Sequence, residues 1–348
     1  MKDEILENQR IERIARNFAR APHRINNIHE ADAELVDLGN GSENYLAITT
    51  DALVEEISSG LYDDPALIGW MLATSNFSDL AAVGAAPLGL LVTINYPPAV
   101  GEEAIARLST GISDACRDLG TFVLGGDTNE AKEIFLSGCA VGLVPKKSVL
   151  TRIGAKPGDK IYLSGPAGLG GVYAYLRLTR QKGSLPESFF RPRARLKEGR
   201  LLAGFASCCM DTSDGLIHTA DTLMRLNRCR FAIRNDWEKI LHPLALQVCR
   251  AGSIPPWLVL AAVHGEFELC FTVGPEKEKD FAAEAKRAGW SPIEIGEVVQ
   301  GEGVSIGSGA DLTPLDTARI RNIAQSAGSD PGAYMGKLFE IAREAGIP

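Results

Sequence analysis

The stretch from Asn76 to Pro98, NFSDLAAVGAAPLGLLVTINYPP, sets a carboxylate, Asp79, between Phe77 and Leu80 in a run of small and apolar residues. An ionised Asp is rarely buried without an ion pair, hydrogen bonds or a metal. Asp64-Pro65 reads as the start of a helix, an N-cap residue followed by proline in the first turn. Leu67, Ile68, Met71, Leu72, Phe77, Leu80 and Val83 recur at helical spacing, and Gly84 and Pro87 close the run. Leu88 to Tyr96 is β-branched and apolar enough for a buried strand. A carboxylate on a core helix just before a core strand needs positive charge opposite it. The rest of the chain supplies further carboxylates, so metal ions are the expected partner.

At 348 residues the chain is long for one core, and two domains are expected. Hydrophobic residues at 45% and charged residues at 23% describe a soluble α/β or α+β protein. A net charge of -8 argues against nucleic acid as a partner. The start, MKDEILENQR, has mixed charge and no apolar run, and the longest apolar stretches are too short to span a bilayer, so no membrane association and a cytoplasmic address are expected. The seven cysteines include one adjacent pair, Cys208-Cys209, and no C-x-x-C; the five histidines are scattered with no H-E-x-x-H. This pattern fits buried reduced thiols and disfavours zinc.

In chain order, Ile11 to Ala21 reads as a short amphipathic helix and Tyr45 to Val54 as a strand carrying Thr49-Thr50-Asp51. Gly101 to Leu119 reads as an amphipathic helix; Thr121 to Leu124 is a short strand running into Gly125-Gly126-Asp127-Thr128, and Ile134 to Val144 is another strand. Pro145 to Gly158 is the best boundary, dividing a domain 1–150 from a domain 151–348. Beyond it come a strand at Lys160 to Ser164 and the glycine-rich Gly165 to Gly171 entering a helix. A basic surface excursion is expected at 182–198, followed by a strand from Cys208 into Asp211-Thr212-Ser213-Asp214-Gly215 and a helix to about Leu226. Phe267 to Val273 and Ile293 to Val298 are strands flanking a helix at Glu276 to Ala288, and the last fifty residues read as loop-rich, ending in a helix.

Three apolar strands thus end on carboxylates beside hydroxyls or glycines, and Asp32 and Asp79 bring the acids to six. Hard cations such as Mg²⁺ take oxygen ligands and bridge a few carboxylates to substrate phosphates. Asp, Ser, Thr and Gly are also turn formers, and singly Asp32 and Asp214 read that way. Gly165 to Gly171 lacks the G-K-[ST] ending of a P-loop and is not G-x-G-x-x-G, so alone it reads as a tight strand-to-helix turn.

Together, TTDALVEE, NFSDLAAVGAAP, GGDT, TRIGAKPGDKIYLSGPAGLGG and MDTSDGL, in this order from roughly Arg10 to Val298, resemble the thiamine-monophosphate kinase family. That family sits in the superfamily of aminoimidazole ribonucleotide synthetase, selenophosphate synthetase and the hydrogenase-maturation dehydratase. The resemblance implies a two-domain PurM-like fold: an N-terminal α/β sheet domain that forms a barrel in a homodimer, and a C-terminal α+β domain. It also implies ATP between the two domains with several Mg²⁺ ions. Matched motif by motif, Asp32, Thr49, Thr50, Asp51, Asp79, Asp127, Asp211 and Asp214 fall on metal-ligand positions. Gly126, Asp127, Arg152 and Ser213 fall on ATP contacts, and Asp51, Asp79, Asp127 and Asp214 are the expected catalytic acids.

The departures lie on the acceptor side. The family's G-D-D-A-A is here Glu30-Ala31-Asp32-Ala33-Glu34, losing one acid. Its V-x-G-x-H becomes Val54-Glu55-Glu56-Ile57-Ser58, so Ser58 stands where a substrate-facing histidine is expected. Its G-G-E-D-Y-E-L shortens to His264-Gly265-Glu266-Phe267-Glu268-Leu269, with Glu266 as the substrate candidate, and Tyr334 is the nearest match to a C-terminal aromatic. The expectation is an ATP- and Mg²⁺-dependent phosphotransferase acting on a small phosphorylated or anionic metabolite other than thiamine monophosphate. A true thiamine-monophosphate kinase, an ATP-dependent ligase or dehydratase, and a non-catalytic nucleotide-binding protein are the alternatives.

Overall fold

The computed structural model describes residues 4–39, 41–179, 185–309, 311–327 and 330–347. The first half contains α1 (Leu6–Ala15), β1 (Glu34–Asp37), β2 (Asn44–Ala52), α2 (Glu55–Ser58), α3 (Pro65–Ala82), β3 (Ala86–Tyr96), α4 (Glu102–Asp118), β4 (Val123–Glu130) and β5 (Phe135–Pro145). Its five strands form one sheet in the order β1-β2-β5-β3-β4, antiparallel except for the β3–β4 pair.

The second half begins with β6 (Lys160–Leu163), α5 (Leu169–Leu178), α6 (Leu196–Leu202), β7 (Ala206–Asp211), α7 (Leu216–Asn227) and β8 (Arg230–Ile233). Then come α8 (Trp237–Ile240), α9 (Pro243–Gly252), α10 (Pro256–Leu260), β9 (Leu269–Val273), α11 (Glu278–Arg287) and β10 (Ile293–Val299). The C-terminal part adds β11 (Gly303–Ser308), β12 (Asp311–Leu315), α12 (Thr317–Arg321), α13 (Ile323–Ala327) and α14 (Pro331–Ala345). A seven-stranded sheet, β12-β11-β8-β10-β6-β9-β7, organises this half. The fold is the two-domain PurM-like arrangement, with two sheets and helices packed on them.

Helix α3 is the central element. Asp64 caps it by accepting the Ala66 N–H at 2.9 Å, Pro65 occupies the first turn, and Gly84 with φ +74 follows its end. It is apolar on nearly every face, as a helix enclosed on all sides must be, and Met71, Leu72, Phe77 and Leu80 are wholly buried. It packs on the first sheet, on α4, and on α6 and β7 of the second half. One core cluster therefore joins Phe77 and Leu80 to Leu202, Cys209 and Phe271 across the two halves.

Several elements differ from the sequence expectation. Helix α1 spans Leu6–Ala15, earlier than Ile11 to Ala21, because Ile5 is buried and Glu4 and Glu7 pair with Arg225 and Arg321 of the second half. Residues 182–184 of the expected surface excursion lie outside the described residues. The remainder is no excursion: Phe190 is buried, Arg191 stacks over the Trp70 ring at 3.9 Å, and Trp70 Nε1 donates to the Pro192 carbonyl at 2.6 Å. The loop-rich reading of the last fifty residues gives way to two strands and three helices. Strand β3 is buried at Leu90 but open at Leu88 and Leu91. The family resemblance would bring the strands around Leu46 to Val54 and Leu88 to Tyr96 together across a two-fold axis; both are interior strands of this sheet, β3 between β5 and β4 and β2 between β5 and the short β1.

Candidate active site

The site is assembled where β2, α3 and β7 end near one another. Successive strand residues point to opposite faces, so Thr49 and Asp51 share the α3 side of β2. Thr49 Oγ1 donates to Asp79 Oδ2 at 2.5 Å. Thr50 faces the other way, exposed, and donates to the Gly138 carbonyl at 2.7 Å. Asn76, one turn before Asp79 and wholly buried, accepts the Asp51 N–H at 3.0 Å and donates to the Leu72 carbonyl at 2.8 Å. Gly138 pairs with Asp51 across β5, and a Cβ there would lie 2.4 Å from Asn76 Nδ2. Gly138→Ala should therefore push Asn76 off the Asp51 backbone and cost about 1–3 kcal/mol, checked by urea denaturation. An unchanged midpoint would show that the Asn76 bridge is not under steric control.

Asp32, Asp79 and Asp211 each place a carboxylate oxygen within 4.8 Å of the others, the one such acidic group among the described residues. Arg152 grips Asp32 with two bonds, Nη2 to Oδ1 at 3.0 Å and Nε to Oδ2 at 3.2 Å. Asp211 ends β7, 2% exposed; its Oδ1 accepts from Ser213 Oγ at 2.9 Å, while its buried Oδ2 has no hydrogen-bond partner. Three carboxylates against one guanidinium leave two uncompensated negative charges when all are ionised.

That imbalance shows in the acidities. Desolvation, reinforced by Asp51, Asp211 and Asp32, holds the Asp79 carboxyl well above the usual carboxylate range. Burial and Asp32 push Asp211 up to about 7, and burial with Asp214 and Asp32 pushes Asp51 up to about 6. Burial works against the Arg152 charge, but Asp32, Asp79 and Asp211 outweigh it and keep the guanidinium protonated. An all-oxygen donor set with an orphaned buried carboxylate oxygen fits a hard divalent cation. Asp32, Asp79 and Asp211 would hold Mg²⁺, with Thr49 and Ser213 orienting two of the three.

Other expected site residues lie outside this trio. Asp214 is exposed just past Asp211, and its charge reaches Asp51. Gly126 and Asp127 are exposed on β4, and Asp127 accepts from Asn129 Nδ2 at 2.8 Å. Arg152, expected at a nucleotide phosphate, is here the counter-ion of Asp32. The acceptor-side candidates are each held by separate bonds. Ser58 is exposed and donates to the Glu55 carbonyl at 3.1 Å. Tyr334 accepts the Val263 N–H at 3.1 Å. Buried Glu266 accepts the Gly170 N–H at 3.2 Å, and burial pushes it up to about 8. A carboxylate thus already takes an amide at the start of α5, where the glycine-rich loop could have offered a phosphate seat.

Three features were not read from the sequence. Asn76 lay in view as a polar residue in an apolar helix, three before Asp79. Glu268 is buried and bonded to both Ser164 and Arg195. Tyr62 OH lies 2.5 Å from His264 Nε2, and His264 Nδ1 lies 3.0 Å from the Gly170 carbonyl. A carbonyl only accepts, so Nδ1 carries the proton and Tyr62 donates to Nε2. Burial lowers His264 to about 4 and keeps it neutral.

Comparison with known proteins places this geometry in context. Residues 30–144 match the model for the AIR synthase related protein N-terminal domain, and residues 156–308 match that for its C-terminal domain. The chain is 30% identical over 295 residues to the thiamine-monophosphate kinase of Pyrococcus abyssi, covering 84% of this chain and 90% of that one. A solved structure described as AaThiL complexed with AMPPCP and TMP superposes with a TM-score of 0.72 at 25% identity, over 89% of this chain and 96% of that one. Hydrogenase maturation protein HypE in complex with ATP shares the fold, with a TM-score of 0.61 at 19% identity over 79% of this chain and 84% of that one.

Proposed function

The chain belongs to the thiamine-monophosphate kinase family of AIR synthase related proteins, and from that premise we propose that it transfers the γ-phosphoryl group of ATP directly to a phosphate oxygen of a small phosphate monoester, thiamine monophosphate being the first acceptor to test. It is an ATP-dependent kinase that works with Mg²⁺. The observation that carries the reading is the trio Asp32, Asp79 and Asp211, an oxygen-only cluster with a buried unpaired oxygen.

Phosphoryl transfer asks a protein for positioning and charge neutralisation more than for covalent help. Magnesium, when bound, supplies positive charge against the phosphates. The chain's own residues fix the carboxylates: Thr49 orients Asp79, Ser213 orients Asp211, and Asn76 anchors the backbone of Asp51. Arg152 balances Asp32 and stands ready beside the same cluster. In the transfer, an acceptor oxygen bonds to the γ-phosphorus as the bond to the β–γ bridging oxygen breaks, and ADP leaves with that electron pair. Incubation with Mg-ATP and thiamine monophosphate, followed by mass analysis, should give thiamine diphosphate and ADP. ADP formed with free phosphate alone would point instead to a ligase or dehydratase.

A second reading, an altered acceptor, draws on one observation. Ser58 is exposed, short, and bonded back to its own helix, so it offers less reach than the histidine expected there. No conversion of thiamine monophosphate, with ATP still bound, would favour it.

A homodimer is also part of this proposal. Leu88, Leu91, Phe122, Leu124 and Phe135 stand exposed on β3, on β5 and at the β4 edge, with Phe122 73% accessible. Contiguous apolar surface and a bare strand edge are ordinarily covered in a soluble protein. Sedimentation at micromolar concentration should give a dimer, and Leu124→Glu should shift it to monomer. A monomeric parent protein would refute the assembly.

A further inference from the structure

The carboxylate trio is divided between the two halves of the chain. Asp32 and Asp79 belong to the first half and Asp211 ends β7 of the second, yet their oxygens lie within 4.8 Å of one another. Such a cluster is complete only while the halves keep a fixed separation, since a misplacement of about 1 Å spoils a preorganised site. The run 191–202 of the second half is fastened to the helix that carries Asp79. Trp70 of α3 donates to the Pro192 carbonyl at 2.6 Å. Further on, α6 meets α3 backbone to backbone: a Cβ on Gly199 would fall 2.0 Å from the carbonyl oxygen of Ala81, two residues after Asp79.

Arg195 directly precedes α6. Its Nη2 donates to Glu268 Oε1, and its Nη1 lies 3.9 Å from Glu198. Glu268 is buried, and Ser164 Oγ donates to its other oxygen. The backbone of Glu268 is in turn stitched to the residue that follows Asp211. The Thr212 N–H donates to the Glu268 carbonyl at 2.8 Å, and the Glu268 N–H donates to Thr212 Oγ1 at 3.0 Å. Asp79 is thereby linked to Asp211 through α3, α6, Arg195, Glu268 and Thr212. The core shared by α3 and β7 is apolar, with Phe77 and Leu80 beside Cys209. Apolar burial has no direction, whereas the ion pair and its hydrogen bonds fix one.

We propose that Arg195 and Glu268 are positioning residues whose ion pair sets the separation of Asp79 from Asp211, and with it the affinity of the cluster for a divalent cation. The inference rests on reading the trio as a cation site, and its test is metal binding without nucleotide, acceptor or turnover. Mn²⁺ is titrated into the full-length protein by electron paramagnetic resonance, well below the melting temperature. Glu268→Gln keeps the side-chain shape and the bond from Ser164, and Arg195→Met keeps an apolar stem. Each should weaken Mn²⁺ binding roughly tenfold or more, the scale for groups that orient metal ligands. Because both act through one contact, the double variant should lose no more than the worse single. Arg195→Lys, which keeps the charge, should lose less than Arg195→Met. Thermal melting identifies a variant that does not fold, and Glu268→Gln against the wild type decides if Arg195→Met fails.

Unchanged Mn²⁺ affinity in both single variants, with binding lost in Asp79→Asn, would overturn the proposal and leave the cation site standing. Additive losses in the double variant, or equal losses in Arg195→Met and Arg195→Lys, would overturn it as well. Unchanged affinity in Asp79→Asn would sink the cation reading and the proposal with it. The expected Mn²⁺ losses, found in an enzyme whose wild type forms no phosphorylated product, would uphold the positioning pair and sink the kinase reading alone.

Discussion

Asp79→Asn should lower turnover by on the order of 10²- to 10³-fold or more, the scale for removing one preorganised electrostatic group from a phosphoryl- or acyl-transfer site, while leaving the fold intact. The side chain keeps its shape, and Thr49 Oγ1 can still donate to the amide oxygen where it now donates to Asp79 Oδ2. What is lost is one of three carboxylates that crowd within 4.8 Å. Because that crowding already disfavours the ionised form of Asp79, its removal should leave the metal-free melting temperature unchanged or raise it. The rise in melting temperature produced by Mg²⁺ in the wild type should shrink in the variant. Steady-state kinetics and thermal scans with and without MgCl₂ measure both. A variant with a lower melting temperature and normal activity per folded molecule would make Asp79 a structural residue only.

The same crowding makes stability depend on pH in a direction set by the folded-state acidities. Asp211 titrates near 7 and Glu266 near 8 when folded, and Asp79 above its ordinary range, against about 4 for such carboxyls in an unfolded chain. The folded state therefore holds more protons than the unfolded one, and stability falls as pH rises through these values. His264 and His218 work the other way. Burial lowers them to about 4 and about 3, so they add stability as pH rises towards 6.5 and nothing further above it.

The informative window is thus pH 6.5 to 8, where the metal-free protein should lose several degrees of melting temperature. Mg²⁺ should remove the part owed to the aspartates, and Asp211→Asn should flatten the profile, leaving a residue from Glu266. Melting curves at the two ends of the window test this. A metal-free protein that gained stability from pH 6.5 to 8, with no response to Mg²⁺, would contradict the charge cluster.

Much of the first half was legible because its signals are local. Asp64-Pro65 opens α3, the apolar spacing that follows marks a helix enclosed on all sides, and the strand carrying Thr49 and Asp51 ends at Ala52, two residues short of the expected Val54. The site was legible as a set of acids, but its composition was not. The trio draws on Asp32, Asp79 and Asp211, and Arg152 closes on Asp32 from 120 residues away. No periodicity carries a contact of that range. Asp127 had the same local look as Asp211, a carboxylate in a strand beside a hydroxyl. Its strand, however, is an exposed sheet edge, while that of Asp211 is buried against β9 and α3. The excursion at 182–198 misled for a related reason. Its arginines and prolines read as solvated, yet Arg191 stacks on Trp70 and Pro192 accepts from the same indole. The compact C-terminal strands were hidden by glycines and short length, since β12 is stabilised by pairing with β11, and β11 by pairing with β12 and β8.

The central claim, that an oxygen-only acidic cluster serves direct phosphoryl transfer, is tested most directly by product stoichiometry. ADP, free phosphate and phosphorylated acceptor are quantified together after incubation with Mg-ATP and thiamine monophosphate, for the wild type and for Asp79→Asn. The account predicts one phosphorylated acceptor per ADP with negligible free phosphate in the wild type, and both products reduced by on the order of a hundredfold or more in the variant over the same time. Free phosphate equal to ADP, or equal product yield from both proteins, would contradict it.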